Sequence, residues 1–306
     1  MRILINFPTN IGDTILALPV LDRLKANYPE SEIVAIGSYR TKDFLSKNIF
    51  LDKVIVYDKH WGSFLKLKFC LSLKKKFDIV VDLKNSFLPI LIGYKKRTPF
   101  FRFFSKDMHA KDRYLKIIKN IAPIDEKIKS DFIINNDKED NFFPSIFIAC
   151  SSRSKGKTYP KNLLKEVIDN LKKIAPVAIL GESADQQYYS DILLDDDIIN
   201  FVGKTSLVKV FYLLKNYAKL LICVDSSILQ LASYIDIPII ALFGPTDERR
   251  YGPWSTKYVV LKNEELLCRP CGEGKCNLDY KCMHIQPLAV IEAAKKILNY
   301  NENGRA

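Results

Sequence analysis

The chain has 306 residues, of which 48% are hydrophobic and 27% are charged. This is the composition of an ordinary globular protein, and the length allows two domains of about 150 residues each. No apolar run approaches the roughly 18 residues of a membrane-spanning helix, and the N-terminus leads into a predicted strand without a signal-peptide pattern. We therefore expect a cytoplasmic protein.

The formal net charge of +12 is concentrated in the first half of the chain. Residues 1–140 carry 26 lysines and arginines against 17 acidic residues, whereas residues 141–306 carry 21 against 18. This excess indicates either a lysine-rich solvated surface or an anionic partner, such as nucleic acid, a phosphorylated glycan or a membrane surface.

Short apolar segments alternate with helical patterns along the whole chain. The predicted strands are residues 3–6, 32–36, 54–57, 78–82, 146–150, 176–180, 198–202, 220–224 and 237–242. Between them, apolar residues at helical spacing predict helices at residues 13–27, 64–75, 161–173, 185–194, 207–216, 227–234 and 288–298. This alternation predicts parallel sheets built from βαβ units.

A polar, acidic segment at residues 135–144 is the best candidate for an interdomain linker. We therefore expect an α/β protein with two Rossmann-like, doubly wound domains, residues 1–140 and 141–306, facing a central cleft. Ligands of such sheets bind beyond the carboxyl ends of the strands. The residues that follow each strand are thus the candidates for function.

Asp13 follows the first strand, after the tight turn that Gly12 permits. A carboxylate here is either a helix N-cap or a general base that removes a proton from an attacking hydroxyl. The sequence alone leaves both interpretations open.

Three further loops at strand ends contain residues suited to anions. Residues 151–160 combine small hydroxyl residues, a glycine and two lysines, which could surround phosphate oxygens or form a flexible basic loop; they match neither a Walker A loop nor a dinucleotide fingerprint. Asp225, Ser226 and Ser227 precede a helix whose N-terminus could bind a phosphate, although Asp225 could also be a cap. Gly244 lies in a sharp turn after the next strand.

These blocks together resemble glycosyltransferase family 9, which includes the lipopolysaccharide heptosyltransferases. Gly12–Asp13 with Leu18–Pro19 resembles the N-terminal signature of the family. Residues 157–160 are similar to its Lys-x-Trp-Pro element, with Tyr159 in place of tryptophan. Residues 224–227 and 241–253, which contain Phe-Gly-Pro-Thr-Asp, resemble its C-terminal signature.

The resemblance implies a GT-B fold, with the first domain binding the acceptor and the second the nucleotide sugar. It implies inverting transfer of a sugar, typically heptose from ADP-heptose, to the lipopolysaccharide core, without a metal or another cofactor. By position, Asp13 would activate the acceptor hydroxyl and Lys157 would neutralise the diphosphate leaving group. The remaining positions would bind the nucleotide sugar: Ser151, Ser152, Glu182 (at the nucleoside), Asp225, Ser226, Ser227 and Gly244.

Two positions depart from the family pattern. Ser227 stands where the family usually has glycine, and Gln230 stands where it has a histidine. The alternatives are therefore a family 9 enzyme that uses another nucleotide sugar for a different surface glycan, and a non-catalytic protein that binds a nucleotide sugar or nucleic acid.

Four cysteines lie close together near the C-terminus, at positions 268, 271, 276 and 282. Their density could indicate a structural tetrathiolate metal site, a disulfide or free thiols in a loop. None of these interpretations makes them catalytic.

Basic residues alternate with phenylalanines within residues 95–116. Such a segment can bind single-stranded nucleic acid. Given the resemblance, we instead expect no nucleic acid but an anionic, lipid-linked glycan acceptor, with peripheral contact at the inner face of the cytoplasmic membrane. These phenylalanines could equally be core residues beside a loop.

Overall fold

The computed structural model describes residues 1–58, 60–100, 102–105, 107–124, 128–133, 145–272 and 276–299. The chain divides into two compact units, Met1–Asn135 and Asn136–Ala306. The predicted linker and the predicted boundary at residue 140 lie outside the described residues. Within the described part, no helix has both the length and the apolarity needed to span a membrane.

The first unit contains a parallel sheet of five strands in the order β3-β2-β1-β4-β5. The strands are β1 (Arg2–Asn6), β2 (Glu32–Gly37), β3 (Lys53–Val56), β4 (Ile79–Asp82) and β5 (Lys96–Arg97). The helices are α1 (Ile11–Leu16), α2 (Leu18–Asn27), α3 (Tyr39–Ser46), α4 (Ser63–Leu73), α5 (Leu88–Ile92) and α6 (Ala110–Ile118). The strand order reverses between β1 and β4, where Asn6 lies opposite Asp82.

The single helix predicted at residues 13–27 is wrong, because the chain forms two helices there, α1 and α2. The break falls at Ala17, whose φ and ψ are −93° and −8°. Pro19 lies in the first turn of α2. Proline has no N–H group, so it interrupts the hydrogen-bond ladder within a helix but fits its first turn.

The second unit contains a parallel sheet of six strands in the order β11-β10-β9-β6-β7-β8. The strands are β6 (Ser145–Ala149), β7 (Val177–Ile179), β8 (Ile198–Asn200), β9 (Ala218–Val224), β10 (Ile239–Phe243) and β11 (Tyr258–Lys262). The helices are α7 (Lys161–Leu171), α8 (Gln186–Tyr189), α9 (Leu207–Tyr217), α10 (Ser227–Ile235), α11 (Glu248–Tyr251) and α12 (Pro287–Ile297). Counted from β6, this is the strand order of dinucleotide-binding sheets, with the reversal between β6 and β9.

Nine predicted strands match β1–β4 and β6–β10 to within two residues at each end. The central strands are mainly apolar and buried along most of their length, which is typical of parallel sheets covered on both faces. Two strands were not predicted: β5, which is only two residues long, and the half-buried β11, although its residues 258–261 form a short apolar run. The predicted helix at 185–194 is α-helical only over Gln186–Tyr189.

Candidate active site

The reversal point of the second sheet brings together two residues predicted to bind the donor. Lys157 lies on a 3-10 turn (Lys155–Lys157) after β6, and Asp225 directly follows β9. Lys157 Nζ lies 2.9 Å from Asp225 Oδ2, and the two side chains are only 20% and 13% exposed. The fold thus places a largely buried lysine at the position where a doubly wound sheet binds its nucleotide.

The loop that carries Lys157 is held at both ends by tyrosines. The buried hydroxyl of Tyr189 accepts hydrogen bonds from the backbone N–H groups of Cys150 (2.9 Å) and Ser151 (3.1 Å). At the other end, Tyr188 Oη donates to the carbonyl of Tyr159 (2.6 Å), and Tyr159 Oη donates to the carbonyl of Ile285 (2.7 Å). Tyr159 is fully buried, so the tyrosine in the Lys-Thr-Tyr-Pro element is a core residue.

Hydrogen bonds also engage the backbone of the two serines predicted to bind the donor, Ser151 and Ser152. The N–H of Ser152 donates to Thr158 Oγ1 (3.2 Å), and Ser152 Oγ accepts from the N–H of Ser154 (3.3 Å). The N–H groups of Ser151 and Ser152 are therefore both engaged within the protein. If these serines bind the donor, as the sequence predicts, they do so through their hydroxyl groups.

Glu182 follows β7 and lies beside the same loop. Its Oε2 accepts hydrogen bonds from Arg153 at 2.5 Å and 3.1 Å. This ion pair raises the pKa of Arg153, through the hydrogen bond to Glu182 and then through its charge. Both side chains are more than half exposed, so the pair contributes little stability. It does place Glu182 next to the loop that carries Lys157.

The N-terminus of α10 is capped by Ser226 and not by Asp225. Ser226 Oγ accepts from the N–H of Leu229 at 3.4 Å, and Ser227 is the first residue of the helix. The interpretation of Asp225 as a cap is therefore wrong. Its carboxylate binds Lys157 instead.

Gln230, at the position of the family's histidine, has a structural role. Its Nε2 donates to the carbonyl of Tyr251 (2.7 Å), and its Oε1 accepts from Trp254 Nε1 (3.1 Å). The side chain is 3% exposed. Gln230 thus joins α10 to the last residue of α11 and to Trp254 beyond it, and both polar ends of the amide have partners within the unit.

Gly244 follows β10 in a tightly packed turn. A Cβ at this position would lie 2.4 Å from Met283 Sδ, so a larger residue here would force the buried side chain of Met283 to move. Its carbonyl accepts from Arg269 Nε (3.0 Å), and the other arm of Arg269 binds Glu248 (3.3 Å). Nearby, Thr246 Oγ1 is buried without a hydrogen-bond partner among the described residues.

The segment that contains the four clustered cysteines packs against these donor-side loops. Tyr280 covers Gly156, where a Cβ would lie 2.7 Å from its ring, and the N–H of Gly272 donates to the carbonyl of Pro245 (2.9 Å). All four cysteines are free thiols. Within the described residues, no group of three or more histidine, cysteine or acidic side chains is arranged to bind a metal. The contacts of this segment with the donor-side loops are thus the packing of Tyr280 on Gly156 and the hydrogen bond from Gly272 to Pro245.

In the first unit, Asp13 lies in the first turn of α1, beyond the carboxyl end of β1. Asn10 occupies the N-cap position, so the interpretation of Asp13 as the cap is wrong. Asn10 Nδ2 donates to Asp13 Oδ2 at 3.2 Å, and Asp13 is half-buried. At the same edge, Asn6 Nδ2 donates to the buried carboxylate of Asp82 (2.8 Å), a pair that the sequence did not single out.

Three basic side chains of the phenylalanine-rich segment at residues 95–116 form contacts within the first unit. Arg97 stacks on Phe100 at 3.5 Å, Lys95 pairs with Asp78 at 2.6 Å, and Arg102 donates to the carbonyl of Asp82. Among its phenylalanines, position 100 is half-buried and position 103 is 87% exposed. Positions 101 and 106 lie outside the described residues.

Two doubly wound α/β units, each built on a parallel sheet, are the architecture of the GT-B glycosyltransferases. The family model described as glycosyltransferase family 9 (heptosyltransferase) matches residues 67–281. The chain belongs to this family and is a glycosyltransferase.

Individual heptosyltransferases are similar to this protein along nearly the whole chain. Lipooligosaccharide heptosyltransferase 2 of Campylobacter jejuni is 26% identical, covering 97% of this chain and 98% of its own. The solved structure of Escherichia coli ADP-heptose lps heptosyltransferase II has a TM-score of 0.78 at 20% identity, covering 98% and 99% of the two chains. E. coli heptosyltransferase WaaC with ADP has a TM-score of 0.74 at 16% identity, covering 97% and 100%. These structures share the fold predicted from the sequence.

Proposed function

We propose that this protein transfers heptose from ADP-heptose to the inner core of a lipopolysaccharide. The observation that carries the proposal is the Lys157–Asp225 pair at the reversal point of the second sheet, in a chain of family 9. The names of the relatives support both the sugar and the lipid-linked glycan, and the solved structures support an adenine nucleotide.

On the donor side, Lys157 neutralises the diphosphate as the glycosidic bond breaks. Asp225 holds the ammonium group in place before the donor arrives, and negative charge develops beside a cation that is already oriented. The hydroxyl groups of Ser151, Ser152, Ser226 and Ser227 bind diphosphate oxygens, Glu182 contacts the nucleoside, and Gly244 allows close approach.

On the acceptor side, Asp13 removes the proton of the attacking hydroxyl. Among the described residues its half-buried carboxylate accepts a hydrogen bond from Asn10 at Oδ2, and the other oxygen takes the proton of the acceptor. Direct attack then inverts the anomeric carbon in one displacement, so that one base suffices and the mechanism requires no metal.

The proposed acceptor is an anionic, lipid-linked glycan bound by the first unit. The supporting observation is the excess of positive charge in residues 1–140. We place the reaction at the inner face of the cytoplasmic membrane, where such an acceptor would be presented.

Turnover of ADP-heptose with a truncated, soluble acceptor tests the proposal. Asp13→Asn keeps the size of the side chain but removes its basicity, so kcat should fall by a factor of about 100 to 10,000 while the donor still binds. Asp43→Asn, an exposed carboxylate on α3, is the matched control and should retain full turnover.

If Asp13→Asn kept a kcat close to that of the wild type, Asp13 would not be the general base.

The identity of the donor is tested by measuring the thermal shift that each of a panel of nucleotide sugars produces. Binding of another nucleotide sugar in preference to ADP-heptose would transfer the proposal to a different surface glycan.

A further inference from the structure

Helix α4 is exposed although it is apolar around most of its circumference. Only Cys70 and Leu73 of its eleven residues are buried. Four large apolar side chains of the helix are at least half exposed: Phe64, Leu65, Leu67 and Leu71. A helix that is apolar on all sides is normally covered in a folded protein. This helix therefore carries a surface built for contact with something outside the unit.

Helix α5 extends this exposed apolar surface. It packs against α4, and its neighbourhood exposes Phe87, Ile90, Leu91 and Tyr94. A groove of about 360 Å³ lies between the two helices, lined mainly by apolar side chains. The groove reaches Asn6 and Ser86, at the carboxyl edge of the first sheet. We name the exposed residues of Ser63–Leu73 and of 87–94 the α4–α5 face.

The chain segment around this face is strongly basic. Residues 59–106 contain twelve lysines and arginines but only two acidic residues, Asp78 and Asp82. Asp78 pairs with Lys95 and accepts a hydrogen bond from the backbone of Arg2, and Asp82 is buried, so among the described residues neither carboxylate pairs with the exposed lysines at and after the end of α4. The net formal charge of these 48 residues is +10, although Lys95, Arg97 and Arg102 have partners within the first unit.

The lysines of α4 and of its C-terminal end are available to an external anion. Lys68, Lys74, Lys75 and Lys76 are exposed. Among the described residues, no carboxylate forms an ion pair with any of them. Exposed leucine and phenylalanine side chains with cations beside them supply the two attractions that hold a protein on an anionic bilayer, which are apolar burial and charge.

We propose that the α4–α5 face docks on the surface of a bilayer that contains anionic lipids. Phe64, Leu71 and Ile90 enter the boundary between headgroups and acyl chains, and the lysines contact lipid phosphates. This proposal rests on the membrane contact proposed above and identifies the α4–α5 face as the protein surface that makes it. Since the groove opens at the carboxyl edge of the first sheet, docking presents a lipid-linked acceptor to the edge that carries Asp13.

Charge favours a bilayer over two other occupants. A second copy of the chain would bring two faces of the same positive sign together. Single-stranded nucleic acid would be stacked on aromatic rings, whereas most exposed apolar residues of this face are aliphatic. An anionic bilayer complements both the charge and the aliphatic side chains.

Sedimentation of the full chain with lipid vesicles tests the proposal. We expect binding to phosphatidylcholine vesicles that contain about 30% phosphatidylglycerol, little binding to phosphatidylcholine alone, and weakening by salt. The triple variant Phe64→Ser, Leu71→Ser, Ile90→Ser should bind at least about tenfold more weakly. Leu194→Ser, an equally exposed apolar residue in the second unit, should bind like the wild type.

Three results would overturn the proposal. The first is that the wild type does not bind anionic vesicles. The second is that the triple variant binds them as well as the wild type does. The third is that the triple variant loses self-association or RNA binding but keeps vesicle binding. Turnover with the soluble acceptor should be unaffected in the triple variant, because the three side chains take no part in the proposed chemistry. If the wild type did not transfer heptose, the proposed function would be contradicted, whereas vesicle binding through the α4–α5 face would still stand.

Discussion

At the residue scale, the donor-side loop depends on side chains that have no chemical role. The hydroxyl of Tyr189 satisfies two backbone N–H groups at the end of β6, and its own pKa is raised by burial, so it remains a neutral hydroxyl. Gln230 likewise satisfies one backbone carbonyl and one indole N–H. A substitution that removes such a partner leaves polar groups unsatisfied in the interior.

Tyr189→Phe should lower the free energy of unfolding by about 2 kcal/mol, because the N–H groups of Cys150 and Ser151 lose their acceptor. Urea unfolding measures this change. The matched control is Tyr258→Phe, at an exposed ring on β11, which should unfold like the wild type. Equal stability of Tyr189→Phe and the wild type would show that the hydroxyl is dispensable.

The same scale explains why two roles could not be assigned from sequence. Asp13 and Asp225 both precede or begin a helix, where aspartate is a frequent cap. The cap positions are instead occupied by Asn10, three residues before Asp13, and by Ser226, one residue after Asp225. A local pattern cannot decide between neighbouring polar residues, because the decision depends on which of them the strand end orients toward the helix.

At the scale of elements, the turn after β10 is stabilised by a charged network from distant segments. Glu248 at the start of α11 accepts hydrogen bonds from Lys262 (2.8 Å) and Arg269 (3.3 Å). Burial acts to raise the pKa of Glu248, but the hydrogen bond from Lys262 and the charges of both cations outweigh it and lower the pKa. The network joins α11 and β11 to the segment that contains the clustered cysteines.

Glu248→Gln should therefore destabilise the protein in a pH-dependent way. A carboxyl whose pKa is lower in the folded protein stabilises above its unfolded pKa, ordinarily near 4.5. This stabilisation is lost as the pH falls through the folded pKa. The difference in unfolding free energy between the wild type and Glu248→Gln should be about 1.5–3 kcal/mol at neutral pH. It should shrink below pH 4.5.

Glu264→Gln provides the control for this measurement. Glu264 is 77% exposed and 3.6 Å from the same lysine, Lys262, so its removal should change stability little at any pH. A pH-independent effect of Glu248→Gln would mean that the neutral amide's packing, and not the charge of the carboxylate, matters at this position.

At the scale of the whole molecule, each unit has its own sheet and its own reversal point. Asn6 and Asp82 mark that point in the first unit, and Lys157 and Asp225 mark it in the second. We therefore propose that the first unit binds the acceptor and that the second unit binds the nucleotide. Binding of the nucleotide alone should then report on the second unit.

ADP should stabilise the folded protein by about 2.7 kcal/mol at a concentration one hundred times its Kd, which thermal unfolding detects as a higher Tm. Lys157→Met should lose most of this shift, because the diphosphate loses its cation. Lys161→Met should keep it, because Lys161, four residues beyond Lys157, is a partly exposed lysine that pairs with Asp191. A full ADP shift in Lys157→Met would place the diphosphate elsewhere.

The sequence by itself determined the two doubly wound sheets, nine of their strands and the family. It could do so because buried parallel strands are continuous apolar runs, and because the loops after them carry the family's motifs. Tertiary structure alone decided the pairing of Lys157 with Asp225, 68 residues apart, the support of the loop by Tyr189, and the exposure of α4. These features depend on which distant segments meet, and no local pattern of residues specifies that meeting.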